Sequence, residues 1–333
     1  MNGLHFNSYY PMLSKSDYTL IADETIAALS YPGDALKGLY EPVAYALSAG
    51  GKRLRPVLCL MAADAFCGDP SKAASAAAGL EMFHNFTLLH DDVMDNSDLR
   101  RGRPTVHKRW DTNTAILSGD TMLTLATQLI SRVDDGVLRS VLDTFNDMAI
   151  KVYEGQRLDM DFENRDDVTV SDYVEMVKAK TGALLGAAAK IGALAAGANE
   201  RDAEAMYTFG LNLGVAFQIQ DDFLDVFGDA TTFGKPIGGD INNQKKTFLL
   251  LSALGQETAE SAALREAMRL PAGDTRVKAV TKIYQKMGID VLCAKETAAY
   301  TSAALKALKK TALGDNERES FRALAEKLTG RRK

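Results

Sequence analysis

Two groups of carboxylates have the spacing to do chemistry. The first is Asp91-Asp92-Val93-Met94-Asp95 and the second is Asp221-Asp222-Phe223-Leu224-Asp225. On a helix, the first and last aspartate of each group stack one turn apart on one face. Without a counterion such a face repels itself. Magnesium, a hard cation with oxygen ligands, removes the repulsion and keeps room for phosphate oxygens. Arg100 and Arg101 follow the first group directly, and the planar guanidinium suits phosphate. Upstream, Gly50-Gly51-Lys52-Arg53-Leu54-Arg55-Pro56 sets three cations behind two glycines, a candidate anion cradle. Carboxylates for metal and cations for phosphate together point to a diphosphate substrate carried by magnesium. Taken singly, each motif has a plainer reading, as an acidic helix end or a basic turn in water.

The elements that must position these groups are helices. Eight prolines in the chain and long Ala/Leu/Met-rich periodic stretches predict helix throughout, with no alternating strand series. The spacing predicts helices over 14–30, 34–47, 57–66 and 71–96, the last carrying the first aspartate group. His84, Thr87, Asp91 and Asp95 fall on one stripe of it, and Phe83, Phe86, Leu88 and Leu89 supply apolar bulk. Leu99 to Pro104 reads as a loop. Further helices are expected over 114–133, 137–160 and 169–179, followed by Lys180-Thr181-Gly182 and a small-residue run to Ala198 that allows close helix approach. Residues 202–227 form the second key helix, where Gln218, Asp221 or Asp222, and Asp225 share a face. Gly228 to Thr247, with Lys235, Asp240, Lys245 and Lys246, reads as a mobile loop beside the site. Helices return over 247–329.

Composition bounds the answer. The chain has 333 residues, 46% hydrophobic and 25% charged, as an ordinary globular protein does. A net charge of −5 argues against nucleic acid as the main partner. Three cysteines without a CxxC pair fit a reducing cytoplasm and argue against disulfides or a cysteine zinc site. The first residues lack a basic stretch followed by an apolar run, so no signal peptide is expected. Ala183 to Ala198, interrupted by Lys190, is too short and broken to span a bilayer. No linker or compositional break appears, so 1–333 is expected to be a single all-α domain.

The motifs GGKRLRP, HNFTLLHDDVMDNSDLRRGRPTVH, KTGALLG, FQIQDDFLD and GKPIGGDINNQKKT, in this order from about Gly50 to Thr247, resemble the trans-type (E-type) isoprenyl diphosphate synthases. The resemblance implies the isoprenoid synthase type I fold, a large helical bundle around a central cavity. It implies that an allylic diphosphate ionises, that the alkene of isopentenyl diphosphate attacks the cation, and that the product is an all-trans prenyl diphosphate. It also implies a homodimer, and about three Mg²⁺ ions acting as Lewis acid and template. Asp91 and Asp95 would bind two ions, and Asp221, helped by Asp225, the third. Arg100, Lys180 and Lys235 would grip the allylic diphosphate; Lys52, Arg55, His84 and Arg101 would hold isopentenyl diphosphate. Thr181 and Gln218 would face the carbocation and Phe217 the alkene, with Lys245 approaching as its loop closes. Asp92 and Asp222 are expected to support the ligands or be solvated. Arg53 is expected to be solvated or structural, and Lys246 solvated. Gln156 and Asp159 read equally as helix caps or as site residues. Arg331-Arg332-Lys333 resembles the basic tail that closes over isopentenyl diphosphate in some members; a frayed tail is the alternative.

In that family the bulk before the first aspartate group sets product length. Thr87 and Phe86 are the fourth and fifth residues before Asp91, and Phe83 lies further down. One aromatic at the fifth position with a two-residue spacer resembles the pattern associated with C20 products, so geranylgeranyl diphosphate is expected and farnesyl diphosphate is the competitor. Three rivals are weaker. A class I terpene cyclase normally has a mixed second metal motif and needs no second diphosphate site. A carboxylate-bridged di-iron bundle requires two Glu-x-x-His pairs, and Glu81-x-x-His84 is one. A regulatory synthase subunit tends to lose aspartates that are intact here.

Overall fold

The computed structural model describes residues 12–228 and 237–330. Lys235 and Arg331-Arg332-Lys333 lie outside the described residues. The chain divides into two compact units. One comprises residues up to Phe145 together with Ala188–Ala203, and the other comprises Asn146–Ala187 and the chain from Glu204 onward.

In the first unit, α1 (Lys15–Ala27) starts on a capping box. The Ser14 side chain accepts from the Asp17 amide, and the Asp17 carboxylate accepts from that of Ser14. After α2 (Lys37–Leu47) come α3 (Leu54–Cys67) and α4 (Ala74–Met94). Helix α3 begins three residues earlier than the proline suggested. Pro56 falls in its first turn, where a missing N–H costs nothing. Leu58, Leu60, Leu80, Met82 and Phe83 are fully buried. A short helix α5 (Val106–Arg109) leads to α6 (Thr112–Ile130), which Asp111 caps by accepting from the Thr114 amide at 2.8 Å. Helix α4 packs closely on α6, because a Cβ at Gly79 would lie 3.0 Å from the Ala126 carbonyl.

Leu99–Pro104 is an antiparallel hairpin and not an irregular loop. Leu99 pairs with Pro104 and Arg100 with Arg103, forming strands β1 (Leu99–Arg100) and β2 (Arg103–Pro104). The two turn residues, Arg101 and Gly102, have φ of 53° and 74°. That is the primed turn geometry a two-residue hairpin needs.

The long helix α7 (Asp135–Glu163) is followed by α8 (Val170–Val177), a five-residue π-turn (Lys178–Gly182), α9 (Ala183–Ala195) and α10 (Glu200–Phe227). Thr169 and Asp172 form the capping box of α8. The core of the second unit gathers Tyr173, Val177, Val215, Ile219, Phe248, Leu249, Tyr284 and Cys293. Later helices Ala259–Met268, Asp274–Lys286, Ile289–Leu308 and Asp315–Thr329 complete that unit. No helix among the described residues is long and apolar enough to cross a membrane.

Candidate active site

The first aspartate group closes α4. Asp91 is half-buried, Asp92 buried and Asp95 exposed. Asp95 is the C-cap, and the last turn holds no basic residue. Carboxylates there sit at the negative end of the helix dipole, which disfavours them until a cation arrives. The middle residue is engaged by a neighbouring guanidinium. Asp92 Oδ1 accepts from Arg100 Nε at 2.9 Å and from Nη2 at 2.5 Å. Burial raises the Asp92 pKa, and the Arg100 bond works against that rise. Arg100, read as a diphosphate grip, is thus oriented from below by a carboxylate. Two of the five donors of a guanidinium are engaged in this way.

Cations crowd the start of α3 and the hairpin. Arg53 has φ of 47° and is 8% exposed, so it is structural and not solvated. It donates to Asp23 and Glu81, each at 2.8 Å, and to the Leu47 carbonyl at 3.1 Å. Glu81 is thereby committed to Arg53 and is not a partner of His84 in an iron site. Arg55 is half-buried with its Nε enclosed and unpartnered. Burial pushes its guanidinium down to about 10, with Glu81 opposing and Arg101 assisting, so it stays cationic at neutral pH. Arg101 reaches the Gly50 carbonyl with Nη1. His84 feels all of these. Burial lowers its pKa well below the ordinary value, and Arg55, Arg101, Arg100 and Arg53 lower it further, which keeps the imidazole neutral. Lys52 is exposed at the edge of the group. An anion would relieve the mutual repulsion of these cations.

Below the aspartates, α4 is aromatic. Phe83 and Phe86 are buried, with centroids 5.5 Å apart. Phe83 meets Phe145 at 5.4 Å and Phe86 meets His90 edge-on at 4.8 Å. Thr87 is half-buried, its hydroxyl donating to the His84 carbonyl at 2.8 Å.

The second aspartate group closes α10, again with no basic residue in the last turn. Asp221 is half-buried. Asp222 is buried and accepts from the Tyr173 hydroxyl at 2.6 Å and from Gln218 Nε2 at 2.9 Å. Burial, assisted by Asp240, pushes its carboxyl up to about 7 against those two bonds. Asp225 is buried and ties the following segment back. Its Oδ2 accepts from the Asp240 amide at 2.9 Å and its carbonyl from the Gly238 amide at 2.7 Å. Asp221 is therefore the more open carboxylate of the pair.

Lys180 and Thr181 lie in the π-turn. Lys180 Nζ contacts Asp159 Oδ2 at 2.5 Å, and Asp159 lies inside α7, so it is not a helix cap. Thr181 Oγ1 meets Gln218 Oε1 at 3.4 Å. Phe217 is half-buried beside Gln218, and Lys245 is exposed, its amide bonded to the Asp240 carbonyl at 3.0 Å. Lys246 is not solvated; it is 19% exposed and pairs with Asp166 at 3.7 Å. Sequence reasoning missed the pairing of Glu81 with Arg53, the role of Tyr173 and the π-turn. No residue type announces a buried phenol beneath an aspartate.

Both aspartate groups offer hard oxygen donors at the negative end of a helix dipole, which suits a hard cation such as magnesium. Among the described residues no three acidic, thiol or imidazole groups converge as a ligand set. Helical architecture, paired aspartate helix ends and a guanidinium cluster define an all-α enzyme class acting on diphosphates. The polyprenyl synthetase family model matches residues 36–287. The short chain isoprenyl diphosphate synthase of Methanothermobacter thermautotrophicus is 39% identical over 273 residues, 81% of this chain and 83% of that one. The geranylgeranyl diphosphate synthase of Sulfolobus acidocaldarius is 36% identical over 292 residues, 86% of each. A crystal structure of a geranylgeranyl pyrophosphate synthase superposes with a TM-score of 0.91 at 39% identity, covering 97% of this chain and 100% of that one. The chain belongs to the polyprenyl synthetase family and has its isoprenoid synthase helical fold.

Proposed function

We propose that the protein is a magnesium-dependent trans-prenyltransferase that joins isopentenyl diphosphate to an allylic diphosphate of five to fifteen carbons, giving geranylgeranyl diphosphate. The observation that carries this reading is the guanidinium group around His84. A cyclase needs one diphosphate site, already supplied by the metal-binding aspartates and Lys180. Arg55 and Arg101 beside a neutral His84 provide for a second. The likeness to relatives named for geranylgeranyl diphosphate supports the chain length.

Magnesium, when bound, acts as Lewis acid on the departing pyrophosphate and as a template for it. Asp91 and Asp95, and Asp221 with Asp225, would supply its protein ligands. Arg100 and Lys180, with Lys235, neutralise charge on the leaving group as the carbon–oxygen bond breaks. Asp92 and Asp159 hold Arg100 and Lys180 in place for that task. Lys52, Arg55, His84 and Arg101 fix isopentenyl diphosphate, and a neutral His84 donates a hydrogen bond to it without competing for protons. Thr181 and Gln218 present oxygens to the allylic cation, Phe217 flanks the alkene, and Lys245 closes over the diphosphate. The proton released on coupling goes to the departing pyrophosphate, so no side chain serves as base. Phe86, with Phe83 and Thr87, floors the chain pocket.

Residues 1–333 act as one synthase domain, since the family match draws on both units. A homodimer is supported by Ile116 and Leu117 on α6, which are 44% and 58% exposed. Unpaired thiols support a cytoplasmic setting. The test is incubation of the purified chain with isopentenyl diphosphate and each allylic starter, followed by product chromatography. A C20 product is expected, and turnover of an allylic diphosphate alone would instead mark a cyclase. Phe86→Ala should shift products to longer chains; an unchanged product removes Phe86 as the floor.

A further inference from the structure

The π-turn that carries Lys180 and Thr181 is held on two sides by the same device. On α7, a Cβ at Gly155 would press on the backbone of the turn: Lys180 Cα lies 2.7 Å and Ala179 C 2.9 Å from that position, and the Lys180 amide nitrogen is closer still. One turn further along α7, Asp159 takes the Lys180 ammonium at 2.5 Å. On α10, a Cβ at Gly214 would lie 2.6 Å from Gly182 Cα and 3.2 Å from its nitrogen. One turn further along α10, Gln218 meets the Thr181 hydroxyl at 3.4 Å. Each flanking helix therefore offers a glycine that admits the backbone of the turn. Four residues later it offers a polar group that receives the turn's side chain. In sequence the two devices are GQRLD over 155–159 and GVAFQ over 214–218.

A π-turn is rare and occurs mostly as a single turn inserted in an α-helix, frequently at a functional site. The obstructing atoms at Gly155 and Gly214 are backbone, so no rotamer change relieves an added methyl. The flanking helix or the turn itself must move. We propose that Gly155 and Gly214 are positioning residues that, with Asp159 and Gln218, clamp the π-turn and so set where the Lys180 ammonium and the Thr181 hydroxyl stand. The proposal rests on the reading of Lys180 as a grip on the allylic diphosphate. Misplacement of a catalytic group by about 1 Å costs on the order of 100-fold in rate.

The experiment is a double-mutant cycle of Gly155→Ala with Lys180→Ala, read by steady-state kinetics in each substrate and by thermal melting. Gly155→Ala alone should lower kcat/KM for the allylic diphosphate by about 100-fold while leaving the KM for isopentenyl diphosphate nearly unchanged. In the Lys180→Ala background it should add little, because the group being positioned is gone. Effects that multiply, or a lowered melting temperature with unchanged allylic kinetics, overturn the clamp. If Gly155→Ala does not fold, the isosteric Asp159→Asn takes its place in the cycle with the same expectation. A Lys180→Ala protein with normal allylic kinetics would remove the Lys180 reading itself. The clamp is then judged on the crystal structure of Gly155→Ala. Loss of the π-turn or of the Lys180–Asp159 contact supports it, and retention of both overturns it.

Discussion

The ends of α4 and α10 share one motif and solve its electrostatic problem differently. In α4 the buried middle aspartate, Asp92, has a guanidinium partner in Arg100. In α10 the equivalent Asp222 has, among the described residues, neutral donors, the Tyr173 hydroxyl and the Gln218 amide. The first arrangement keeps a buried charge and uses it to aim a cation. The second leaves a carboxyl near its titration point at neutral pH, with Asp240 close by. Equal motifs thus do not mean equal charge states. The α4 end lies among permanent cations, while the α10 end leans on hydroxyl, amide and backbone donors and on whatever cation binds Asp221.

The sharpest way to break the comparison is to remove one open carboxylate from each end. Asp91→Ala and Asp221→Ala should each lower kcat by about 1,000-fold or more in saturating magnesium. A near-normal rate in either variant would show that its helix end holds no metal. Next in size is the cationic surround peculiar to the α4 end. Lys52→Ala should raise the KM for isopentenyl diphosphate about tenfold with kcat little changed, the behaviour of lost ground-state binding. A selective effect on the allylic substrate would reverse the assignment of the two diphosphates.

Stability tests are smaller and bear directly on the middle aspartates. Asp92→Asn should cost about 2 kcal/mol in the metal-free protein, as loss of a charged hydrogen bond does. Asp222→Asn should cost less, and at pH 8 it should stabilise, because burial and Asp240 both disfavour the charge it removes. Comparison of denaturation midpoints would decide; equal losses would mean the two carboxylates are held alike. The pH dependence has a defined sign. Folding raises the Asp222 carboxyl from 3.8 to about 7, so the folded state binds more protons between those values. The stability this contributes is full below about pH 4 and is lost as pH rises through 7. Calorimetry of the metal-free protein should show melting temperature declining over that window, and Asp222→Asn should flatten the decline.

Much of this was legible before any coordinates. Helical periodicity located α4 and α10 to within a few residues, each with its aspartate group at the end. The misses have physical causes. Pro56 read as a helix boundary because proline usually marks one, yet a first-turn proline sacrifices no hydrogen bond. The hairpin at Leu99–Pro104 escaped notice because its turn is Arg-Gly, without the asparagine or aspartate that announces positive φ. Arg53 read as solvated or structural, since nothing local predicts a buried partner at Glu81, 28 positions away. The π-turn has no composition of its own. Its cause lies in Gly155 and Gly214, which are distant in sequence and silent until packing is known.

The hairpin that carries Arg100 and Arg101 is stapled to α2 through Tyr45. Its hydroxyl donates to the Pro104 carbonyl at 2.7 Å, and the Arg103 and Arg109 guanidiniums lie 4.0 and 4.4 Å from its ring centre. Trp110 meets the same ring edge-on at 5.2 Å, with Arg109 4.7 Å from the indole. It is the single tryptophan of the chain. The intrinsic emission of the protein therefore comes from one indole, next to the cation-bearing hairpin. Nature has placed a fluorophore where a change in that hairpin would register without any label.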